Sequence, residues 1–331
     1  MTFKNLIGQK HVIQLLSESI QTGRIGHAYL FCGPEGIGRS TVARCFAEAL
    51  TCEKCEDLPC GECEGCVLNR NGTNPDIVVI QQQEGKATVG VEDVRSVQDE
   101  ISTAPRFGRY KVLIFKNAEK MTVQAQNALL KTLEEPPPYI VMILLSSNNA
   151  SLLDTVKSRS VRIDFKRYTN SEIIAAFENI RGANAVDPSI LCEYSDGIIG
   201  RALSMADTEQ YEALCDKILN CICGIAGGGG RELCRFENLL GEYAEQKELF
   251  FFTLYSLFRD VALAARYVKD VKFQNVQAAR QIREAAEKIG YHKAMECIEH
   301  IGRSWRLVGQ NVNYKLTADA LAIRIQEVIH G

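Results

Sequence analysis

The sequence predicts an α/β domain built on a mostly parallel sheet, followed by a wholly helical region. Three observations carry this expectation. Five short apolar runs in the first half suit buried strands, helical periodicity fills most of the intervals between them, and the strand signals stop after Phe165. Apolar strands that alternate with helices imply a sheet covered on both faces.

Taken in order, the first run is AYLFC (Ala28–Cys32), followed by the glycine-rich GPEGIGRST and then by VARCFAEAL. In that last segment Val42, Cys45, Phe46, Ala49 and Leu50 recur near helical spacing, so the unit reads strand, turn, helix. Further strands are expected at Asp76–Ile80, Lys111–Phe115, Ile140–Leu145 and Val161–Phe165. A short helical stretch runs from about Asn170 to Ala206, and from Thr208 onward nearly everything has helical periodicity. GGGG (Gly227–Gly230) reads as a flexible interhelix loop, since no strand precedes it and no Lys-Ser/Thr follows. The expected domains are residues 1–166, 167–208 and 209–331, with a cysteine-rich insertion at about 52–66 in the first.

Composition sets bounds. The chain has 331 residues, is 46% hydrophobic and 24% charged, and has a net charge of -3, as soluble globular proteins do. That charge leaves no broad basic surface for nucleic acid, so any DNA contact must be local or shared with partner chains. LFFFTLYSLF is interrupted by Thr253, Tyr255 and Ser256 and is too short to span a bilayer. The N-terminal stretch has no signal-peptide run, so a cytoplasmic protein with reduced thiols and no membrane partner is expected.

GPEGIGRS fits the phosphate-loop pattern G-x-x-x-x-G-K-[ST] at Gly33, Gly38 and Ser40, with Arg39 in place of the lysine. Gly36 and Thr41 belong to the same candidate loop. Glycines let the backbone wrap phosphate closely, and a helix N-terminus favours an anion. Arginine keeps the charge, but its longer planar fork copies a compact ammonium poorly. A nucleotide loop and an inherited structural turn both remain open, and ATP binding is doubtful.

CEKCEDLPCGECEGC places Cys52, Cys55, Cys60, Cys63 and Cys66 within fifteen residues, with Gly61 and Gly65 easing tight turns. Cys60, Cys63 and Cys66 form C-x-x-C-x-x-C, and Cys52 and Cys55 compete to be a fourth thiolate. Four thiolates suit tetrahedral zinc, with an iron-sulfur cluster as the chemical rival. The other eight cysteines, Cys221 and Cys223 among them, lie at scattered apolar helical positions and read as core residues.

With these motifs stand NALLKTLEEPP (Asn127–Pro137) and LLSSNNASLLDTVKSRS (Leu144–Ser160). Together they resemble the clamp-loader subunits of bacterial DNA polymerase III, and within that family the delta-prime type, over essentially the whole chain. The resemblance implies an AAA+ phosphate-loop domain, a small helical lid domain and a helical collar. It implies gamma/tau and delta subunits, the beta sliding clamp and primed DNA as partners. It assigns Zn2+ to Cys52, Cys60, Cys63 and Cys66 and leaves Cys55 as an extra thiol.

The resemblance also bears on catalysis. In the family's motor subunits the strand matching KVLIF is followed by Asp-Glu, which hold magnesium and polarise water. Here Lys116 and Asn117 stand there, and neither residue supports that chemistry. Asn148 lies near the family's sensor position. Gly200 takes the place of an arginine that the lid offers to nucleotide, and Arg201 comes one residue late, about 100° around a helix. SRS (Ser158–Ser160) resembles the family's Ser-Arg-Cys motif, so Arg159, otherwise a surface arginine beside a strand, reads as a finger reaching a neighbouring subunit's ATP. The implied function is a subunit that helps load the clamp during replication without hydrolysing ATP. An active gamma/tau-like ATPase and a zinc-dependent nucleic-acid-binding module are the alternatives.

Overall fold

The computed structural model of the chain describes residues 3, 6–54, 59–82, 86, 88–181, 192, 195–204, 208–228, 230–267, 273, 275, 278–309 and 312–330. Two compact units divide it. One comprises Met1–Ala176 and Asp196–Gly200, the other Phe177–Ser195 and Arg201–Gly331, so residues 167–208 are shared between them.

The first unit holds the sheet. Its strands are β1 (Ala28–Cys32), β2 (Ile77–Ile80), β3 (Lys111–Phe115), β4 (Ile140–Ser146) and β5 (Val161–Asp164), within a residue or so of the apolar runs at each end. They lie in the order β2-β3-β4-β1-β5, and every neighbouring pair is parallel. β1, β3 and β4 are buried along their whole length, which is why they read as continuous apolar runs. The edge strands β2 and β5 expose Val79 and Val161.

Helices α1 (Lys10–Thr22), α2 (Arg39–Leu50), α3 (Glu64–Asn71), α4 (Val91–Ile101), α5 (Val123–Glu134) and α6 (Asp154–Ser158) fill the connections. Val94 of α4 and Leu129 and Leu133 of α5 join Leu30, Leu113, Phe115, Met142 and Leu144 in one buried cluster. Phe46 of α2 meets Tyr29 edge-on, with ring centroids 5.2 Å apart.

The second unit is helical in its described residues. LFFFTLYSLF forms part of a helix over Lys247–Arg266, and Phe250, Phe251 and Phe258 are fully buried. Two of the hydroxyls within the run bond their own helix, Thr253 Oγ1 to Leu249 O at 2.7 Å and Ser256 Oγ to Thr253 O at 3.1 Å, so a polar atom can sit in this core. Gly227 and Gly228 lie between the helices Thr208–Ala226 and Gly230–Glu242, and Gly230 begins the second of them, so of the expected interhelix loop the first two glycines are seen there and Gly229 lies outside the described residues. Cys221 is buried and Cys223 half-buried, whereas Cys32 lies in a strand and Cys234 is exposed, so not every scattered cysteine is a helical core residue. No described helix is long and apolar enough to cross a membrane.

Asp76, just before β2, is 2% exposed. Its carboxylate accepts from Arg106 N at 2.8 and 3.0 Å and from Phe107 N at 2.8 Å, fastening the segment before β3 to the start of β2. Asp76→Ala should lower the unfolding free energy by roughly 2 kcal/mol, because the amides lose a charged acceptor. Urea denaturation measures it, and an unchanged midpoint would show that these bonds contribute nothing.

Candidate functional site

The parallel sheet delivers the ends of β1, β3 and β4 to one side. β1 pairs with β4 through Cys32↔Ser146, and Gly33 N then donates to Ser146 O at 3.2 Å. The chain from Gly33 to Gly38 turns through positive φ at Gly36 (80°) and Gly38 (98°), which explains glycine at both. Gly38 stands at the N-cap of α2, and Ser40 and Thr41 lie in the helix's first turn.

Arg39 is almost fully buried, and its Nη1 has no hydrogen-bond partner among the described residues. Burial lowers its pKa from the ordinary arginine value, while the charges of Glu119 and Glu35 oppose that shift. Glu119 is a residue that sequence reasoning missed, and nothing local in the sequence marks it. It lies two residues beyond Asn117, and its carboxylate accepts from Ser147 N at 3.2 Å and Ser147 Oγ at 2.5 Å, tying the turn after β3 to the end of β4.

Lys116 Nζ donates to Gln81 Oε1 at 3.2 Å. With Ser40, Thr41, Arg44 and Asn69 it lines a cavity of about 460 Å³ beside α2. Asn69 Oδ1 is buried there without a partner among the described residues. Asn117 has φ 51°, in the left-handed region, and begins the 3-10 turn Ala118–Lys120. Asparagine tolerates that conformation better than glutamate does, so the backbone here suits the residue present. The Asn148 side chain accepts from Ala150 N at 3.0 Å and caps the turn Asn149–Ser151.

Gly200 lies against the loop. Its N donates to Gly36 O at 2.9 Å, and a Cβ at Gly200 would stand 2.8 Å from Gly36 Cα. This position, where the resemblance places an arginine in motor subunits, has no room for a side chain unless backbone moves. Arg159 sits elsewhere. It ends α6 just before β5, at the end of the parallel sheet opposite to the loops that follow β1, β3 and β4. Its Nη2 meets Glu134 Oε1 at 2.9 Å and its Nη1 donates to Thr155 O at 3.1 Å.

The cysteines come together where α2 ends and α3 begins. The sulfurs of Cys52, Cys60, Cys63 and Cys66 all lie within 4.8 Å of one another, and the Cys52–Cys63 and Cys60–Cys66 separations are both 3.9 Å. A tetrahedral ion with metal–sulfur bonds of about 2.3 Å sets its sulfurs about 3.8 Å apart, so this cage fits a single ion. An iron-sulfur cluster puts several atoms between its thiolates and calls for a wider one. Amides line the cage, with Cys63 N donating to Cys60 Sγ and Cys66 N to Cys63 Sγ, each at 3.4 Å.

Cys55 lies outside the described residues. Gly61 has φ 77° and serves a turn, but Gly65 is needed for another reason: a Cβ there would stand 2.9 Å from Thr51 O. Arg44 Nη2 donates to Asn69 O at 3.0 Å and Asn69 Nδ2 to Thr51 Oγ1 at 3.1 Å, binding α3 to the helix of the glycine loop.

With this geometry in hand, sequence comparison places the first unit. Residues 8–169 match the family model described as DNA polymerase III, delta subunit. Over this segment the chain is similar to that family. The DNA polymerase III subunit tau of Bacillus subtilis (strain 168) is 35% identical over 211 residues, covering 62% of this chain and 37% of that one. The subunit gamma of Buchnera aphidicola subsp. Baizongia pistaciae is 29% identical over 281 residues, covering 83% of this chain and 72% of that one. The chain spans 37% or less of the length of the tau and tau/gamma relatives from Bacillus, Salmonella, Haemophilus and Escherichia. Among solved structures, a gamma subunit-related protein of Thermotoga maritima has 16% identity and a TM-score of 0.47, with 95% of this chain and 99% of that one covered.

Purified chain should carry about one tetrahedral metal ion, measured by elemental analysis. Cys63→Ser should release it while leaving the cap of α3 in place, since a serine hydroxyl can accept from Cys66 N as the thiol does, and retention of the full metal content would exclude Cys63 as a ligand. Gly200→Arg should destabilise the first unit by roughly 1–3 kcal/mol through overpacking. An unchanged melting temperature would mean that the Gly36–Gly200 contact opens freely.

Proposed function

We propose that the chain is a clamp-loader subunit of bacterial DNA polymerase III of the delta-prime type. Its own phosphate loop is kept for shape rather than turnover. It joins gamma/tau and delta subunits in placing the beta sliding clamp on primed DNA. On this reading residues 1–166 form an AAA+ domain, 167–208 a lid and 209–331 a collar. Gly33, Gly36, Gly38, Arg39, Ser40, Thr41 and Asn148 are remnants of the nucleotide site. Cys52, Cys60, Cys63 and Cys66 hold structural Zn2+, which supplies a cross-link and no catalytic step.

The observation that carries the reading is the end of β3. Lys116 lines the same cavity as Ser40 and brings a positive charge to a region where a motor subunit would hold magnesium, and the left-handed backbone at Asn117 is ill suited to a glutamate. Arg39, whose Nη1 has no partner among the described residues, and Gly200 pressed onto Gly36 agree with it. Arg159 lies at the other end of the sheet from its own loop, which supports a role toward a phosphate outside that loop, as the finger reading requires.

The second reading is a gamma/tau-like ATPase, and the names of the relatives favour it. ATP hydrolysis separates the two. The isolated chain should show no magnesium-dependent turnover above background, and Arg39→Lys alone should not create any, because the carboxylates after β3 are still absent. Turnover abolished by Ser40→Ala would establish the second reading. In the reconstituted complex Arg159→Ala should lower, without abolishing, the DNA- and clamp-stimulated ATPase, since one neighbouring site would lose its finger. Unchanged rates with assembly confirmed would leave Arg159 a surface residue.

A further inference from the structure

Arg159 does not project freely from the end of α6. Glu134 Oε1 holds its Nη2 at 2.9 Å and Thr155 O holds its Nη1 at 3.1 Å, with Ser158 Oγ 3.5 Å from the same nitrogen. A guanidinium has five N–H donors, so these contacts leave donors for a further anion. The two anchors come from different elements, the carboxylate from α5 and the carbonyl from α6 itself.

Glu134 has no evident reason to be there for the helix. It is the last residue of α5, where a carboxylate meets the negative end of the helix dipole, and Glu135 follows with a second negative charge. The Arg159 and Glu134 side chains are 36% and 52% exposed, and an ion pair so open to water adds little to folding stability. Its effect falls instead on the conformation of a long, rotamer-rich side chain. An arginine already held in one rotamer loses less freedom when it meets phosphate, and so approaches a reacting group in better order.

We propose that Glu134 is a positioning residue for Arg159, holding the guanidinium ready for a phosphate group presented by a neighbouring subunit. This rests on the reading of Arg159 as a finger acting across an interface. Glu134 touches no nucleotide and acts only through the arginine. The carboxylate also balances the arginine's charge while no phosphate is present, and the weakness of an exposed pair lets the guanidinium engage a more strongly charged anion without a large barrier.

The test uses the reconstituted complex with its DNA polymerase III partner subunits, followed by steady-state ATPase against ATP concentration. Arg159→Ala is measured first and should lower kcat. Glu134→Ala should then lower kcat by about two- to fivefold with KM for ATP, assembly and melting temperature unchanged. Glu134→Gln should recover part of the loss, because its amide oxygen still accepts from Nη2, and Glu134→Ala should add nothing in an Arg159→Ala background. If Arg159→Ala lowers kcat while Glu134→Ala leaves it unchanged or raises it, the positioning role is overturned and the finger stands. If Arg159→Ala itself changes nothing, the finger reading fails and the proposal with it.

Discussion

The parallel pairing of β1 between β4 and β5 is the constraint on which the first unit depends. It aligns Cys32 with Ser146 and brings Gly33 N onto Ser146 O, so the glycine loop starts from a fixed point on the central strands. Because every pair in the sheet is parallel, the turns after β1, β3 and β4 emerge on one side. Glu119 then ties the second of these turns to the third through Ser147. The same parallel order sends the residue before β5 to the opposite side, which separates Arg159 from Arg39, Lys116 and Asn148. One choice of pairing thus creates two distinct chemical surfaces on one domain.

The cysteine module is coupled to this arrangement through α2. That helix begins at the glycine loop, and the first sulfur of the cage lies two residues beyond its last. α3 starts from Cys63, carries Cys66 in its first turn, and returns to α2 through Arg44 and Asn69. The close approach of Gly65 to Thr51 O lets the two segments meet without an intervening side chain. A metal ion held by the four sulfurs would cross-link these segments and stiffen one wall of the cavity that Ser40 and Lys116 also line.

Electrostatics and backbone geometry act together in the altered loop. A buried arginine whose Nη1 has no partner among the described residues is poorly solvated, and the charges of Glu119 and Glu35 favour its charged form. The loop's Gly36 carbonyl is already taken by Gly200 N, and the backbone at that contact leaves no space for a Cβ. These features describe a loop whose contacts lie within its own unit. In contrast, the arginine before β5 is anchored loosely and at the surface, where its charge stays accessible.

The sequence by itself determined the strands, the glycine loop and the cysteine cluster with Cys60, Cys63 and Cys66 among its candidate ligands, while the fourth sulfur, Cys52, is brought to them in the structure. Buried central strands must be apolar along their whole length, turns through positive φ select glycine, and a tetrahedral thiolate cage needs closely spaced cysteines, so each leaves a local signature. The DNA polymerase III likeness of residues 8–169 was legible in the same way, from contiguous stretches such as NALLKTLEEPP. Only the tertiary structure decided what depends on residues far apart in the chain. Gly36 and Gly200 meet across 164 positions because the second faces the loop that the first turns, and Glu134 reaches Arg159 because α5 and α6 end near each other. The left-handed backbone at Asn117, the second contact made by Gly65 and the role of Glu119 were hidden for the same reason. A residue type states what it can tolerate, whereas its neighbours through space fix what it does.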